Sequence, residues 1–430
     1  MKPSDLFRLP PILSGAGGGI TRRLDDRARR TFRSDCLRQF FGGLTDTGPK
    51  TFFLLIAVQR YSAGDLFKTL ISIPNSVAMT LSVLLLPLLS RLGVRNSVWL
   101  AVSRFISGAC YLLAAWKPSL EPFAFWIFLG GLPVSIVYPL LTDIYHRNYP
   151  HRVRGQLFAW ATIINMASTG LFSWLLALLL GAHSEHYRPV LILIGLSMFL
   201  AGWSFLSIPD KEHAGPDGRS FLHAFRWIRR DRTFAYMLVI WFIFGSAIFM
   251  ITPLKLIYMT EPRYGLAYPA ATIALIIGII PEVFRFSTTA IWARLFDRYH
   301  FIGIRVALNV FLLASVIAFF FGKTKGWLCV AAALEGISSG GASIAWSLWV
   351  THMAPVGHTT EYMSVNLFFT GIRGIVGTWL GIHLASLLGL QQVAWLSVGL
   401  VAMSIAMMLP LRNDRKWIRS EAGAGGEAGN

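Results

Sequence analysis

Charged residues are scarce in this sequence. They make up 14% of the 430 residues, whereas soluble domains contain about 25%. Hydrophobic residues make up 54% of the chain, and its mean hydropathy is +0.56. This balance excludes an ordinary soluble domain and indicates that lipid is the main solvent of the chain. We therefore expect an integral membrane protein.

Cysteine is also rare, and the N-terminus has no export signal. Cys36, Cys110 and Cys329 are too scattered to predict a disulfide framework or a metal site. Residues 1–34 are rich in Arg and Gly but contain no apolar stretch like that of a cleaved signal peptide. We interpret them as a disordered cytoplasmic tail. No GxxxxGK[ST] phosphate-binding loop is present, and we expect no metal, no cofactor and no enzymatic activity.

Basic residues outnumber acidic ones by 39 to 21, and the net charge is +18. Such an excess can mark a nucleic-acid-binding protein, but most of these Lys and Arg residues lie in short polar stretches between hydrophobic runs. This distribution follows the positive-inside rule of membrane proteins. It predicts an inner or plasma membrane protein with both termini in the cytoplasm, and it argues against nucleic acid as a partner.

Twelve apolar segments are long enough to cross a bilayer. We number them spans 1–12, and they cover approximately residues 38–60, 66–90, 97–116, 121–145, 155–181, 189–208, 234–259, 267–292, 303–322, 326–350, 360–387 and 391–411. The polar stretch 209–233 separates spans 6 and 7. Its second half, SFLHAFRWIRRD, alternates apolar and basic positions at helical spacing. We expect an amphipathic helix on the inner membrane surface there; a solvated linker is the alternative.

The chain thus divides into a first half, residues 35–208, and a second half, residues 234–412, with residues 413–430 as a second cytoplasmic tail. The halves contain related sequences. LPLLSRLGVRNSVWLAVSR follows span 2 and WARLFDRYHFIGIRVALN follows span 8, at an offset of about 205–210 residues. A six-plus-six duplication is typical of secondary transporters.

The loop after span 2 resembles a motif of the major facilitator superfamily, G-x-L-x-D-R-x-G-R-R/K. Arg91, Gly93 and Arg95 occupy matching places, and Ser90 stands where the family has Asp. The loop after span 8 restores the acid. Its matching residues are Asp297, Arg298, Gly303 and Arg305.

The resemblance implies an all-α membrane protein with 12 transmembrane helices in two pseudo-symmetric six-helix bundles. In that family the loop motif joins the halves on the cytoplasmic side, where Asp143, at the inner end of span 4, is a gate residue or an interfacial charge. The substrate lies between the halves at mid-membrane, mainly against spans 1, 4, 7 and 10. Span 4 lacks the Arg found in many proton-driven drug exporters of the family, which argues against that subtype.

Span 1 contains the polar stretch LTDTGPKTFF. Asp46 and Lys50 are four residues apart and should share one helix face. Gly48 and Pro49 free backbone hydrogen-bonding groups, which a membrane helix tolerates mainly beside a cavity or buried protein. We therefore predict that the middle of span 1 faces a water-filled cavity. The two charges form either a pair that responds to protons or substrate, or a permanent ion pair that helps span 1 pack.

Further acids are expected in the second half, because a charge inside hydrocarbon is costly and usually functional. Glu282 in span 8 has apolar neighbours, so desolvation should favour its protonated form, and Arg285 lies on the same helix face. Glu335 in span 10 stands alone among small residues. With Asp46, these two glutamates are the candidate proton or ion carriers; structural pairing is the alternative reading for each.

Arg373 in span 11 lies deep in the membrane and cannot lose its proton. It needs an anionic substrate or a carboxylate partner, for which Glu282, Glu335 and Asp46 are candidates. Lys255 in span 7 lies closer to a membrane surface, where snorkelling explains its charge. The remaining cavity candidates are polar or aromatic side chains whose simpler roles are helix packing and membrane anchoring: Asn75, Asn165, Trp241, Trp346 and Asn366.

These features predict a monomeric secondary active transporter in the lipid bilayer. It would move a small polar solute, a sugar or an organic anion, by alternating access coupled to protons or another cation such as Na⁺. The alternatives are a facilitative uniporter and a drug or metabolite exporter. A non-transporting membrane sensor is the alternative from a different class.

Overall fold

The computed structural model describes residues 24–117, 119–150, 153–181, 186–210, 221–296, 298–322, 324–355 and 358–413. Within these residues the chain forms helices and no strands. Spans 1–6 correspond to Asp26–Thr47 with Phe53–Gln59, Asp65–Ser72 with Pro74–Ser90, Asn96–Ala115, Leu120–Asn148, Arg154–Leu180 and Tyr187–Leu206. Spans 7–12 correspond to Arg232–Thr260, Ala270–Ile273 with Ile280–Phe296, Phe301–Phe321, Lys325–Met353, Thr359–Leu388 and Leu390–Met408.

Ten helices of the described ranges are long and apolar enough to cross a membrane, and an eleventh span results if the bent pair Asp65–Ser72 and Pro74–Leu89 is counted as one. The segment of span 1 is not among them, and the first half of its helix is rich in charged residues. The all-α multi-pass fold is confirmed, but the predicted total of twelve spans is confirmed only up to eleven. We call the face where the first helix begins the termini face and the opposite one the distal face.

The helix of span 1 begins at Asp26, inside the segment that the sequence assigned to a disordered tail. Asp25 caps it by accepting a hydrogen bond from the Ala28 amide. Almost three turns later, the fully buried Asp35 accepts hydrogen bonds from Arg38 and from the Tyr145 hydroxyl of span 4. The tail prediction was therefore wrong for this part, because composition alone did not reveal that these charges pair in the protein interior.

The predicted amphipathic helix of the linker is present as two short helices, Phe221–Ala224 and Arg226–Arg230. The ring of Trp227 packs against Tyr362 of span 11, and its indole N–H donates to Glu361. The helix therefore rests on the second half of the protein rather than only on lipid. Residues 211–220 lie outside the described residues.

Hydrophobic packing differs between the two faces of the molecule. Toward the distal face, one continuous cluster contains residues of both halves, such as Leu180 and Ile257. Toward the termini face, each half has its own cluster, around Tyr145 in the first half and Trp349 in the second. The halves are thus packed together distally and form separate cores near the termini face. The space between them opens toward the termini face.

Glycines allow the halves to approach closely in the middle of the spans. A side chain at Gly371 of span 11 would overlap the Thr80 hydroxyl and the Ser76 carbonyl of span 2. A Cβ at Gly278 of span 8 would lie 2.7 Å from the Ser173 hydroxyl of span 5. Small residues at such contacts permit the backbone approach on which membrane helix packing depends.

We expect Gly371→Ala to destabilise this contact between the halves, because the added methyl group has no room against span 2. Gly399→Ala in span 12 is the matched control, since a Cβ there meets nothing within 4 Å. The control should leave the Tm in detergent unchanged or raise it slightly, because Ala favours a helix over Gly. Equal Tm values for the two variants would contradict the close packing of spans 2 and 11.

Candidate functional site

A π-helical turn, Gly48–Phe52, interrupts the helix of span 1. Such turns often occur at functional sites because they release backbone groups and alter helical register. Pro49 and Lys50 of this turn are exposed although they lie in the middle of a span. This exposure agrees with the prediction that the middle of span 1 faces a cavity.

Lys50 connects the two halves of the protein. Its ammonium group lies 2.7 Å from Glu282 Oε1 of span 8, and Arg285 lies 3.3 Å from the other oxygen of the same carboxylate. The Lys50 side chain is 42% exposed and that of Glu282 is 11% exposed. The contact with Arg285 is the alternative that the shared helix face suggested for Glu282. The contact with Lys50 was not predicted, because this cation comes from another span. We call Lys50, Glu282 and Arg285 the central triad.

Asp46 and Lys50 do not pair with each other, although their spacing suggested it. Asp46 instead accepts a hydrogen bond of 3.2 Å from Asn165 of span 5, which also donates to the Gln39 carbonyl. The π-helical turn begins between Asp46 and Lys50 and changes the register there. Asp46 therefore faces the first half, and Lys50 faces the second.

Glu335 of span 10 is also paired. Its Oε2 atom lies 2.7 Å from the ammonium group of Lys255 in span 7. Lys255 is only 5% exposed, so snorkelling to a surface does not explain it. Glu335 is therefore not alone in the membrane, as the sequence suggested. Lys50 and Lys255 are separated by the same offset as the two halves. Each half therefore contributes a lysine at the corresponding position, and each of these lysines pairs with a glutamate of the second half.

Glu335→Gln should lower the Tm of the purified protein, because it leaves the buried Lys255 ammonium without its carboxylate. Loss of one partner of a fully buried pair costs about 3–5 kcal/mol, and we expect about 1–3 kcal/mol here because Glu335 is partly exposed. The double variant Lys255→Met/Glu335→Gln should recover most of the loss. Glu121→Gln, at an exposed position, is the control. A Tm for Glu335→Gln equal to that of the control would show that the pair does not form.

Other predicted cavity residues have different surroundings. Asn75 is exposed and contacts Ser135 of span 4, and Trp346 is half-buried against the core of the second half. Asn366 is buried and donates only a weak bond to Met363 Sδ. Asn75 and Trp346 remain cavity candidates, whereas Asn366 does not face open space.

Arg373 and Trp241 lie inside the second half rather than on the cavity wall. They are 5% and 3% exposed. Arg373 donates to the Trp241 carbonyl, and Glu282 and Glu335 pair with other cations. Of the two partners that the sequence left open for Arg373, the carboxylate is not found among the described residues. Lysines reach Glu282 and Glu335, and Asp46 contacts Asn165.

Only part of the loop motif lies within the described residues. Gly93 adopts a left-handed backbone conformation with φ of 67°, which favours glycine at this turn. Arg91 and Arg95 are exposed beside it, and Arg298 is exposed in the loop after span 8. Asp297 and the side chain of Asp143 lie outside the described residues. The gate role of this loop stays a prediction.

A second set of charges connects the halves at the distal face. Lys68 of span 2 lies 2.6 Å from Glu261, which follows span 7, and 3.7 Å from Asp65. Arg263 lies 2.5 Å from the other oxygen of Glu261. Burial raises the pKa of the neighbouring Tyr264, so its hydroxyl stays protonated at neutral pH. We call Lys68, Glu261, Asp65 and Arg263 the distal latch, because these charges join the halves where the shared core closes.

A cavity of about 590 Å³ lies beside the distal latch. Its wall includes residues from the loops after spans 1 and 7: Gln59, Ser62, Ala267 and Tyr268. Ser62 and Ala267 both have positive φ, and they are separated by the offset of the two halves. The cavity thus lies between the halves at the closed face, in loops that repeat the same local geometry.

The described residues contain no group of three or more His, Cys, Asp or Glu that could hold a metal ion. Residues 336–340, GISSG, match the nucleophile pattern GxSxG, but they lie within the helix of span 10 rather than at a strand-to-helix turn. Ser338 of this segment is buried and donates to the Leu308 carbonyl. This segment therefore serves helix packing.

Two halves of packed helices meet around a charged centre, close at one face and separate at the other. This arrangement defines an integral multi-pass membrane transporter. The chain belongs to the Major Facilitator Superfamily, whose family model matches residues 39–324. No curated protein sequence matches the chain as a relative.

Solved transporter structures share this fold. The nucleoside transporter NupG has a TM-score of 0.70 at 12% identity, with 91% of this chain and 100% of that chain covered. A D-xylose-proton symporter has a TM-score of 0.68 at 13% identity, with coverage of 89% and 98%. The human organic anion transporter TETRAN has a TM-score of 0.64 at 15% identity, with coverage of 89% and 100%. At these identities the likeness concerns the fold alone.

Proposed function

We propose that this protein is a proton-coupled secondary transporter of a small organic anion, with the central triad as its coupling site. It lies in an inner or plasma membrane with the termini face in the cytoplasm, as the distribution of Lys and Arg predicts. The observation that carries the proposal is the contact between Lys50 of the first half and Glu282 of the second. Any movement of one half against the other must rearrange this contact.

The central triad offers a direct exchange of partners. When Glu282 is charged, Lys50 is occupied by its carboxylate. A proton on Glu282 removes that charge and frees Lys50 to bind an anionic group of the solute. The loaded state then lacks the ion pair that joins spans 1 and 8, and the halves can rock to expose the site to the other side. Binding of proton and solute thus favours a different conformation from the empty state.

The charge of the site favours an anion. The central triad contains two cations and one carboxylate, so it carries one excess positive charge. A bound proton plus a monovalent anion leaves that net charge unchanged. Translocation of this pair is therefore electroneutral. A sugar is the alternative solute, and a proton carried with a neutral sugar would move one positive charge per cycle.

Reconstituted liposomes with an entrapped pH dye test the proposal. Pools of organic acids, sugars and amino acids are added outside, and lumenal pH is recorded together with uptake of labelled solutes. We expect a pool of organic acids to cause lumenal acidification that depends on the protein.

Each other outcome has a defined meaning. Uptake of a labelled solute without any pH change would replace proton coupling by facilitated or sodium-coupled transport. A response to sugars alone would replace the anion by a polyhydroxylated solute. A protein that moves no pool, by net uptake or by exchange, would contradict transport and favour the sensor.

A further inference from the structure

Two buried arginines in the second half have no acidic partner among the described residues. Arg305, one turn into span 9, is 2% exposed, and Arg373 of span 11 is 5% exposed. The guanidinium carbon of Arg305 lies 4.3 Å from the ring centre of Trp241, and that of Arg373 lies 5.7 Å from the same ring. Both cations therefore contact one indole of span 7, within about 10 Å of each other. The resemblance placed Arg305 in the second copy of the loop motif, at the start of span 9, and the structure buries it there.

The polar atoms around this indole are mostly unpaired donors. Within the described residues, the Nε atoms of Arg305 and Arg373 and the indole nitrogen of Trp241 have no hydrogen-bond partner. The indole nitrogen of Trp349, whose ring stacks on Trp241 at 5.8 Å, is also unpaired. The only acceptor that Arg373 reaches in the described residues is the Trp241 carbonyl. We call these four residues the arginine–tryptophan cluster.

The positive charge of these two buried arginines is not balanced by the described residues. Arginine remains charged in proteins, so neither side chain can become neutral to avoid the cost of burial. Removing one such ion from water remains costly even after relaxation. A cation–π contact offsets only part of that cost. Two neighbouring cations, which also repel each other, therefore require a negative charge that the described residues do not provide.

We propose that the arginine–tryptophan cluster binds one anionic group, a halide or an oxyanion such as phosphate, at the edge of the Trp241 indole. Every unpaired polar atom of the cluster is an N–H donor, which matches an acceptor that carries only negative charge and lone pairs. The anion would join spans 7, 9, 10 and 11.

This site is separate from the central triad. Its two tryptophans belong to the buried core of the second half and its two arginines are buried beside them, whereas the Lys50 side chain is 42% exposed. An anion there acts as a fixed counter-charge of the second half rather than as the solute. Failure of transport tests would leave this proposal intact, and its own test uses no transport assay.

The test measures Tm of purified protein in Tris gluconate while chloride or phosphate replaces gluconate at constant ionic strength. A ligand that binds only the folded state raises its stability with concentration. We expect a saturable rise of roughly 3 °C or more with at least one anion. The rise should disappear in Arg305→Gln and Arg373→Gln. It should persist in Arg229→Gln, an exposed control in the linker helix.

Conservative variants keep the test valid if a Gln variant does not fold. Arg305→Lys and Arg373→Lys retain the charge but lose the planar donors, so the anion response should shift to higher concentration. A parallel series adds phosphatidylglycerol to delipidated protein. A rise with this lipid alone, lost in the same variants, would identify the anionic group as a lipid phosphate. The proposal would be overturned if neither chloride, phosphate nor phosphatidylglycerol raised the Tm. It would also be overturned if the Tm rose equally in wild type and in both Gln variants.

Discussion

Glu282→Gln is expected to abolish solute-driven proton movement while solute exchange continues. The amide has nearly the shape of a protonated carboxyl group but carries no titratable proton, so Lys50 remains free to bind the anion in every state. Concentrative uptake driven by a pH gradient should fall at least about tenfold, because only interactions that change along the cycle drive it. Exchange of labelled for unlabelled solute across the liposome membrane should retain a rate close to that of wild type.

Glu121→Gln is the matched control for this substitution, because Glu121 is an exposed carboxyl group in the first turn of span 4. It should retain the lumenal pH change and the uptake rate of wild type. A Glu282→Gln protein that still acidifies the lumen on addition of solute would show that another group carries the proton. The Asp46 carboxylate would then be the next candidate, since its partner in the described residues is the neutral amide of Asn165.

Lys68→Gln is expected to open the distal face. The substitution removes the cation that joins span 2 to Glu261, and it leaves that carboxylate beside Asp65 without the lysine between them. The state that is closed at the distal face should therefore become less populated, and a state that is open there should become more populated. Spin labels at Trp116→Cys and Leu387→Cys, both exposed at the distal ends of spans 3 and 11, report this change as a distance distribution.

The measurement requires replacement of the three native cysteines by serine. Wild type should give one short distance, and Lys68→Gln should add a longer component. Lys68→Arg should retain the short distance, because it keeps a cation between Glu261 and Asp65. An unchanged distribution in Lys68→Gln would show that the shared apolar core alone holds the distal face closed.

Hydrophobic runs and their offset were sufficient to predict an all-α multi-pass fold of two related halves. Each run is long enough to define its own helix, so this information is local in the sequence. The start of span 1 was not predictable in the same way. Arg27, Arg29 and Arg30 resemble a solvated tail in composition. What makes this region a helix is the Asp35–Arg38–Tyr145 contact, which joins residues more than a hundred positions apart.

The same difference applies to the candidate site, where the sequence identifies the charged residues but not most of their partners. The sequence identified Lys50, Glu282 and Glu335 as intramembrane charges, because a charge in hydrocarbon is rare. It suggested the local pair of Glu282 and Arg285 but did not predict the pairs between spans. The contact from Lys50 to Glu282 spans 232 positions, and no periodicity connects them. The distal latch residues Lys68 and Glu261 were missed because both lie near a membrane surface, where charges are ordinary. Their only signal is an opposite charge at the same end of spans 2 and 7.

Electrical charge movement during transport tests the central claim most directly. Liposomes containing the protein are clamped at different membrane potentials with valinomycin and potassium, and uptake of the organic acid found in the solute screen is followed at a fixed pH gradient. The account predicts that uptake of a monovalent acid follows the pH gradient and does not change with the membrane potential. Uptake that follows the potential in the absence of a pH gradient would contradict the exchange of proton and anion at Glu282 and Lys50.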